Sequence, residues 1–420
     1  MTFELSDLTH NWNAAPGATS PSREIGLFDE TLRDGLQSPS VKQPGRKEKL
    51  RLLHLMVELG INEVNIGIPA AGERFSRDAA ALAREIFDQK LPLDCLCGAR
   101  LLQADIEPII EISQRAGGPV GAGLFVGSSP VRRYVENWEI ADLLTRVRKA
   151  VRFARDHDLR VMFITEDTTR TDPESARRLY SAAIECGAQL IVISDTVGHA
   201  TPRGAARLVH FVREFAGPEI TIDWHGHRDR GLATACALAA IEAGADRIQA
   251  TALGIGERSG NTEMEQILVN LQLLGYIERD LTSLPDYCRL AAQICDMPLP
   301  TNHPIVGRDA FRTTTGVHAA AVAQALSMGD RRLADRVYSS VPATLVGREQ
   351  IIEIGPMSGS SNVRYVLQQI GVEPNHKLVQ HILKAAKSSD RTLSEVELLQ
   401  MVVDDLVSYL SVSKPGSPER

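Results

Sequence analysis

Eight short β-rich runs, each followed by an amphipathic helical stretch, constrain this chain more than any other feature of its sequence. The runs fall at residues 25–29, 63–68, 93–97, 121–126, 160–165, 190–194, 219–224 and 246–250. Helical patterns lie between them, clearest at 46–59, 77–89, 139–157 and 174–186. Asp172 and Thr201 each stand where a helix N-cap belongs, and each precedes a proline, the residue best suited to the first helical position. Strands alternating with helices imply a parallel sheet with right-handed crossovers. Eight such units in about 250 residues match a closed (βα)8 or TIM barrel. An open doubly wound sheet would carry a glycine-rich turn after its first strand. Here the first strand runs instead into Asp29-Glu30-Thr31-Leu32-Arg33-Asp34-Gly35. The fold class predicted is therefore α/β, a TIM barrel followed by a small, mainly helical C-terminal region.

The alternation stops near residue 283, which divides the chain. A polar N-terminal arm is expected at 1–22, the barrel at 23–283, and a linker with a subdomain reaching the active site at 284–354. A small helical subdomain follows at 355–412, then a frayed tail at 413–420. Residues 307–328 read as helical, and so do 362–370, 377–386 and 395–410; the pattern Thr392-x-x-Glu395 reads as a capping box for the last. At 420 residues the chain exceeds one ordinary core, and its 43% apolar and 24% charged content is that of a globular protein. A net charge of −7 with no basic block argues against nucleic acid as a partner. The opening residues lack the basic start and apolar run of a signal peptide. No stretch reaches the roughly 18–20 unbroken apolar residues of a membrane span. The six cysteines are scattered; Cys95 and Cys97, in an apolar strand-like run, read as buried thiols, and a cytoplasmic location is expected.

In a barrel of this kind, functional groups gather where strands end and βα loops begin. The sharpest signal there is Trp224-His225-Gly226-His227 after the seventh strand. Residues two apart in an extended segment point the same way, so both imidazoles share a face and can ligate a divalent transition metal. Asp34, at the end of the first strand, is a third candidate ligand, since only strand eight separates strands one and seven in a closed ring. Beside it Arg33 would place a fixed positive charge where an enolate or alkoxide develops. Glu166 and Asp167 follow strand five, and Asp195 and Thr196 follow strand six; they serve either a substrate or local loop and cap chemistry. After strand eight, Gly254-Ile255-Gly256-Glu257 lets the backbone approach a ligand closely, or simply makes a tight turn.

The stretch Phe28-Asp29-Glu30-Thr31-Leu32-Arg33-Asp34-Gly35-Leu36-Gln37-Ser38-Pro39 resembles the opening signature of the 2-isopropylmalate and homocitrate synthase family. His225 to Asn261, ending Gly254-Ile255-Gly256-Glu257-Arg258-Ser259-Gly260-Asn261, resembles its second signature. Glu166 to Asp172, Ser194 to Gly198, Ile305-Val306-Gly307 and Thr315-Gly316-Val317-His318 match in kind and order, so the likeness covers about residues 24–360. The resemblance implies an acyltransferase that condenses acetyl-CoA with a 2-oxo acid to a 2-alkylmalate-type product and free CoA. It implies a divalent metal (zinc, manganese, cobalt or magnesium) on Asp34, His225 and His227, with Asn261 as a further ligand. It places Arg33, Gln37 and Thr196 at the 2-oxo acid and Glu166 in the site, while Gly254, Gly256 and Glu257 of the glycine-rich turn are expected at the acyl-CoA, since barrels often bind phosphate near the loops after strands seven and eight. His318 and Tyr338 would be catalytic groups from the post-barrel segment, which in this family usually comes from the other subunit of a homodimer. The longer isopropylmalate synthases carry a leucine-sensing C-terminal domain, and feedback inhibition through such a domain is not expected here.

Several positions depart from the family pattern. Arg228 stands where asparagine is usual, Leu36 replaces a common glutamate, and Gly123-Leu124-Phe125 occupies the place of a usual histidine near the end of strand four. Gly355-Pro356-Met357-Ser358-Gly359 keeps only the glycines and serine of the usual post-barrel motif. Arg132 and Arg133 follow nearby; Arg132 either binds a second acidic group on an unusual acceptor, or both are solvated residues at a helix start. Formation of 2-isopropylmalate is the first expectation. Homocitrate or citramalate formation, or cleavage like that of 3-hydroxy-3-methylglutaryl-CoA lyases, are the alternatives.

Overall fold

The computed structural model describes residues 8–13 and 23–412, with side chains to residue 408. The expected arm at 1–22 thus falls mostly outside the described residues, and the expected tail at 413–420 wholly so. Two compact units are present, one running from Thr19 to Leu299 and the other containing Pro300 onward.

The first unit is a closed barrel of eight parallel strands. In chain order they are β1 (Gly26–Asp29), β2 (Glu63–Asn65), β3 (Asp94–Arg100) and β4 (Gly121–Gly127), then β5 (Val161–Glu166), β6 (Leu190–Asp195), β7 (Thr221–Gly226) and β8 (Arg247–Ala250). The ring closes where β1 pairs with β8, Gly26 opposite Arg247 and Asp29 opposite Ala250. Helices α1 (Arg46–Glu58), α2 (Glu73–Asp88) and α3 (Gln103–Ala116) follow the first three strands. A short α4 (Pro130–Glu136) precedes α5 (Ile140–Asp156), and α6 (Pro173–Glu185), α7 (Pro202–Ala216) and α8 (Ala233–Glu242) complete the crossovers before α9 (Met264–Leu273) and α10 (Leu284–Cys295).

Each strand expected from the sequence is present, because strands buried on both faces must be apolar along their length. Every residue of β6 is buried. Phe28, Leu96, Met162, Leu190 and Val192, with Ile164 packed on them, form one buried apolar cluster within the barrel. Each fully buried side chain of this size contributes about 1.5–3 kcal/mol. The expected caps also form: Asp172 accepts from Ser175 N at 2.9 Å and Thr201 from Gly204 N at 3.2 Å, each with proline at the first turn. Leu284–Cys295 lies beyond the residue 283 boundary read from the sequence, yet this helix belongs to the barrel unit. Its Tyr287 hydroxyl donates to the buried Asp29 carboxylate at the end of β1.

The second unit contains a two-stranded parallel sheet, β9 (Arg312–Thr313) with β10 (Ile351–Ile352), and helices α11 (Gly316–Ser327) and α12 (Arg331–Val337). Helices α13 (Ser360–Gln369), α14 (His376–Ser388) and α15 (Glu395–Val412) enclose Val363, Leu367, Val379, Ile382, Leu398 and Val402. Two sequence expectations are corrected here. Residues 307–315 are turns and strand rather than the start of a helix, since the β-branched run Thr313-Thr314-Thr315 favours extended backbone and Thr315 already takes the N-cap position. The capping box of the last helix is formed by Ser394 and Glu397, not Thr392 and Glu395. Glu397 Oε2 accepts from Ser394 N at 2.8 Å and Ser394 Oγ from Glu397 N at 3.3 Å.

Buried charge gives the barrel a pH signature. Glu265 on α9 is fully buried and accepts from Leu253 N at 2.9 Å, and burial pushes its carboxyl up to about 7. The folded state then holds this proton more tightly than the unfolded chain does. Its contribution to stability is complete below about pH 4.5 and is lost as pH rises through about 7. Glu265→Gln keeps the hydrogen bond without the titration, and is expected to flatten the decline by up to about 3 kcal/mol. Urea midpoints of both proteins at about pH 5 and about pH 8 read this directly, and parallel slopes would contradict it.

Candidate metal centre and active-site cavity

Strand direction alone brings two of the predicted ligands together. His225 sits on β7, opposite Ser194 of β6 and Gln249 of β8, and His227 follows two residues on with its side chain on the same face. Asp34 arrives from the loop after β1, and all three residues are buried. The His225 and His227 Nε2 atoms are 3.2 Å apart, and Asp34 Oδ2 lies 3.6 and 3.7 Å from them. Donors around one cation at bond lengths of about 2.0–2.2 Å stand about 2.8–3.6 Å apart, so this triangle has the spacing of a metal site.

The electrostatics agree. Burial pushes the His225 imidazolium down to about 3, with His227 adding to the effect and Asp34 opposing it. His227 is lowered in the same way, so both rings are neutral donors at neutral pH. Burial alone would raise the Asp34 carboxyl, but Arg33, both histidines and a hydrogen bond from Asn261 hold it well below the usual carboxylate range. Arg33 Nε donates to Glu30 at 2.6 Å and its Nη1 to Asp34 at 3.1 Å. Although buried, the guanidinium is held cationic by these carboxylates.

The loop after β8 supplies the fourth side of the cluster. Asn261 Nδ2 donates to Asp34 Oδ1 at 2.8 Å. Asn261 Oδ1 and His227 Nδ1 are buried with no hydrogen-bond partner among the described residues. Gly256, at φ +157°, lies so close that a Cβ would fall 2.1 Å from Asn261 Nδ2 and 2.8 Å from Asp34 Oδ1. At Gly260, φ +101°, a Cβ would strike Gly254 O at 1.9 Å. These glycines are the condition for the loop to close over the acid and the amide. Two neutral imidazoles, an ionised carboxylate and an orphaned amide oxygen are a donor set that fits a divalent cation.

A cavity of about 160 Å³ opens on this cluster. Of the residues singled out from the sequence, Arg33, Asp34, Gln37, Glu166, Thr196, His225, His227 and Glu257 line it. Burial raises the Glu166 carboxyl above its ordinary value, against the pull of Arg132 and Arg33. Thr196 Oγ1 accepts from Asp167 N at 2.8 Å. Asp167 and Asp195 instead hold the loops: Asp167 chelates Arg170, and Asp195 accepts from His199 N, Ala200 N and Thr169 Oγ1. Arg132 pairs with Glu136 at 3.0 Å and lies over Trp138, and Arg133 pairs with Asp172 at 3.2 Å; neither is among the lining residues. Gly254 and Gly256 shape the loop, and Arg228 anchors it through Glu263 and the Ser259 carbonyl. His318 and Tyr338 belong to the second unit, where their rings stack at 4.2 Å.

Arg258 and Ser194, within the matched motifs but given no role there, also line the cavity, and the sequence motifs did not single out Asn65, Ile68, Gly98, Phe125, Ile164 and Gln249. Counting back by two from Glu166 and His225 finds Ile164 and Asp223, and the same alternation on β8 finds Gln249, so strand period held that signal.

The HMGL-like family model matches residues 24–292, and the chain belongs to that family. Homocitrate synthase AksA of Methanopyrus kandleri is 33% identical over 400 residues, 94% of this chain and 96% of the relative. A protein of the same organism named "Probable 2-isopropylmalate synthase" is 31% identical over 367 residues, 86% of this chain and 69% of the relative. The solved structure of the Bacillus subtilis HMG-CoA lyase superposes with a TM-score of 0.58 at 20% identity, covering 68% of this chain and 98% of that one, and so shares the fold.

Removal of one ligand tests the cluster. His227→Ala is expected to reduce bound divalent metal from about one ion per chain to a small fraction of that, as measured by elemental analysis after dialysis, with the circular dichroism spectrum kept. Full metal content in the variant would place the ion elsewhere.

Proposed function

We propose that this chain is an acyltransferase that joins acetyl-CoA to a 2-oxo acid with an uncharged aliphatic side chain, releasing CoA, in the manner of a 2-isopropylmalate synthase. The observation that carries the reading is the buried Asp34–His225–His227 cluster beside cationic Arg33, at the floor of a cavity sized for a small acid. The names of the relatives at 31–33% identity support the same reaction class.

A divalent cation bound by Asp34, His225 and His227, with Asn261 in reach, would supply Lewis acidity at the keto group of the 2-oxo acid. The protein residues do the rest. Thr196 Oγ1 already accepts from Asp167 N, which leaves its own proton to donate to the substrate carboxylate. Gln37 offers a side-chain amide to the same acid. A base removes one proton from the acyl methyl group, and the resulting carbanion adds to the keto carbon. Arg33 faces the alkoxide that forms there, in a site where a preorganised charge is worth far more than in water. Water then cleaves the thioester, giving the carboxylate and CoA thiol. Glu166, its carboxyl raised by burial, is placed to give and take protons at this stage. For His318 and Tyr338 as catalytic groups and for a homodimer, the support is the family resemblance alone; for Gly254, Gly256 and Glu257 at the acyl-CoA it is the glycine-rich turn after β8, and for Arg132 at the substrate only its departure from the family pattern.

The homocitrate reading rests on the relatives' names, and needs a cation to receive a second carboxylate. The cations lining the cavity are Arg33, engaged by Glu30 and Asp34, and Arg258, engaged by Asp229. Ile68, Phe125 and Ile164 form an apolar wall, with Gly98 leaving room beside them. An uncharged branched side chain suits that wall, and burying a carboxylate there unpaired would be costly.

Release of CoA thiol from acetyl-CoA, followed with pyruvate, 2-oxobutyrate, 2-oxoisovalerate and 2-oxoglutarate, tests both parts. The expected result is chelator-sensitive turnover with kcat/KM for 2-oxoisovalerate at least about 100-fold above that for 2-oxoglutarate. The reverse order would move the assignment to the homocitrate type. No thiol release with any acid, in metal-loaded protein, would overturn the synthase reading.

A further inference from the structure

A line of buried polar residues runs through the barrel to His225. Glu63, the first residue of β2, pairs with Arg160 and with Arg247, the first residue of β8. Arg247 holds Asp223 of β7 by two bonds, Nε to Oδ1 at 2.9 Å and Nη2 to Oδ2 at 2.6 Å. Gln249 Nε2 donates to Asp223 Oδ2 at 2.9 Å, and Gln249 Oε1 faces His225 Nδ1 at 3.1 Å. Asp223 is fully buried and Gln249 nearly so.

The donors and acceptors along this line allow one arrangement. Arg247 has only donors and directs them at both oxygens of Asp223, so both oxygens accept. Gln249 must therefore turn its NH2 toward Asp223, which leaves its carbonyl oxygen toward His225. A carbonyl accepts, so His225 Nδ1 must carry the ring proton. The lone pair then lies on Nε2, the atom that faces Asp34 and His227. His227 differs: its Nδ1 has no partner among the described residues, and only its Nε2, 3.2 Å from His225 Nε2, meets protein groups.

We propose that Gln249, oriented by the Asp223–Arg247 pair, is a positioning residue that fixes His225 in the Nδ1–H tautomer and so presets it as a metal ligand. This rests on the reading of Asp34, His225 and His227 as a metal site. Without the Gln249 carbonyl a neutral His225 would be free to place its proton on Nε2, directed at Asp34, and each binding event would first have to move it.

Two variants of similar size separate the polar role from simple packing. Gln249→Met removes the acceptor and keeps the volume. Gln249→Glu keeps the volume and an oxygen that accepts from His225 Nδ1, as carboxylates commonly do for metal-binding histidines. Zinc and cobalt affinities are measured by competition with a chromophoric chelator. Ring-nitrogen NMR of the metal-free proteins reports the His225 tautomer, its signals assigned by their loss in His225→Gln. The expected result is wild-type Nδ1–H, a 10–100-fold weaker affinity with loss of the single tautomer in Gln249→Met, and recovery of both in Gln249→Glu. Wild-type affinity or an unchanged tautomer in Gln249→Met would overturn the proposal, as would an Nε2–H ring in the wild type. If the wild-type protein itself binds neither metal, the metal-site reading fails instead, and the tautomer result is read separately.

Discussion

The inside of a closed eight-stranded barrel has no water to spare, and each polar side chain pointing inward must find a partner in the protein. That constraint orders the interior here. Glu63, Arg160, Arg247 and Asp223 neutralise one another across strands that are far apart in sequence. Such a buried set adds little net stability, because desolvation offsets most of the attraction. Breaking it by removing one member leaves an unpaired charge, at about 3–5 kcal/mol. Its effect is therefore on specification. Any register that moved β2, β7 or β8 by one residue would turn a charge outward and strand its partner. The same polar line also reaches the candidate metal centre, so the condition that keeps the barrel in register is the one that orients His225.

A second tie joins the loops that bear the site. The Tyr287 hydroxyl on α10 bonds Asp29 and stands 3.2 Å from the Thr31 hydroxyl. Asp29 in turn accepts from Thr31 N at 2.7 Å, and Thr31 Oγ1 accepts from Ala252 N at 2.8 Å. The loop after β1, which carries Arg33 and Asp34, is thus fastened to the loop after β8, which carries Gly256 and Asn261. Burial pushes the Asp29 carboxyl up to about 6, against the hydrogen bonds that favour its ionised form. A helix that follows the barrel in sequence therefore acts as a clamp at the seam where the ring closes.

Much of this was legible in the sequence, and for a physical reason. Strands buried on both faces must be apolar runs, caps must carry oxygen side chains, and a His-x-His at a strand end must put two rings on one face. Local rules of this kind found the eight strands, the caps at Asp172 and Thr201, and the shared face of His225 and His227. Relations that depend on three-dimensional neighbours were not legible. Strand period turns Ile164 and Gln249 inward, but nothing local marks Gln249 as the partner of His225, or Ile68, in the loop after β2, as sharing a wall with Ile164 on β5. The arginines at 132 and 133 carried two readings in the sequence, and only their neighbours Glu136, Trp138 and Asp172 say where their charges are engaged. The misplaced capping box shows the same limit at short range. Thr392 and Ser394 can each cap a helix, and the choice fell to Ser394 because Arg391 also pairs with Glu397, at 2.8 Å.

The strand period of two explains how one barrel holds such different chemistries in layers. On β5, Met162 packs in the apolar cluster, Ile164 lines the cavity and Glu166 stands at its polar rim. On β7, Asp223 joins the ionic line, His225 follows two residues later, and His227 two beyond it. On β8, Arg247 and Gln249 make the same ascent from charge to amide. Height along the strand therefore decides what a side chain does. Ion pairs lie near the strand starts, the two histidines and Glu166 toward their ends, with an apolar wall alongside. Because all inward residues on a strand share a parity, a one-residue slip would exchange every layer at once. The chemistry proposed for the mouth of the barrel is in this sense written in the same alternation that closes the ring.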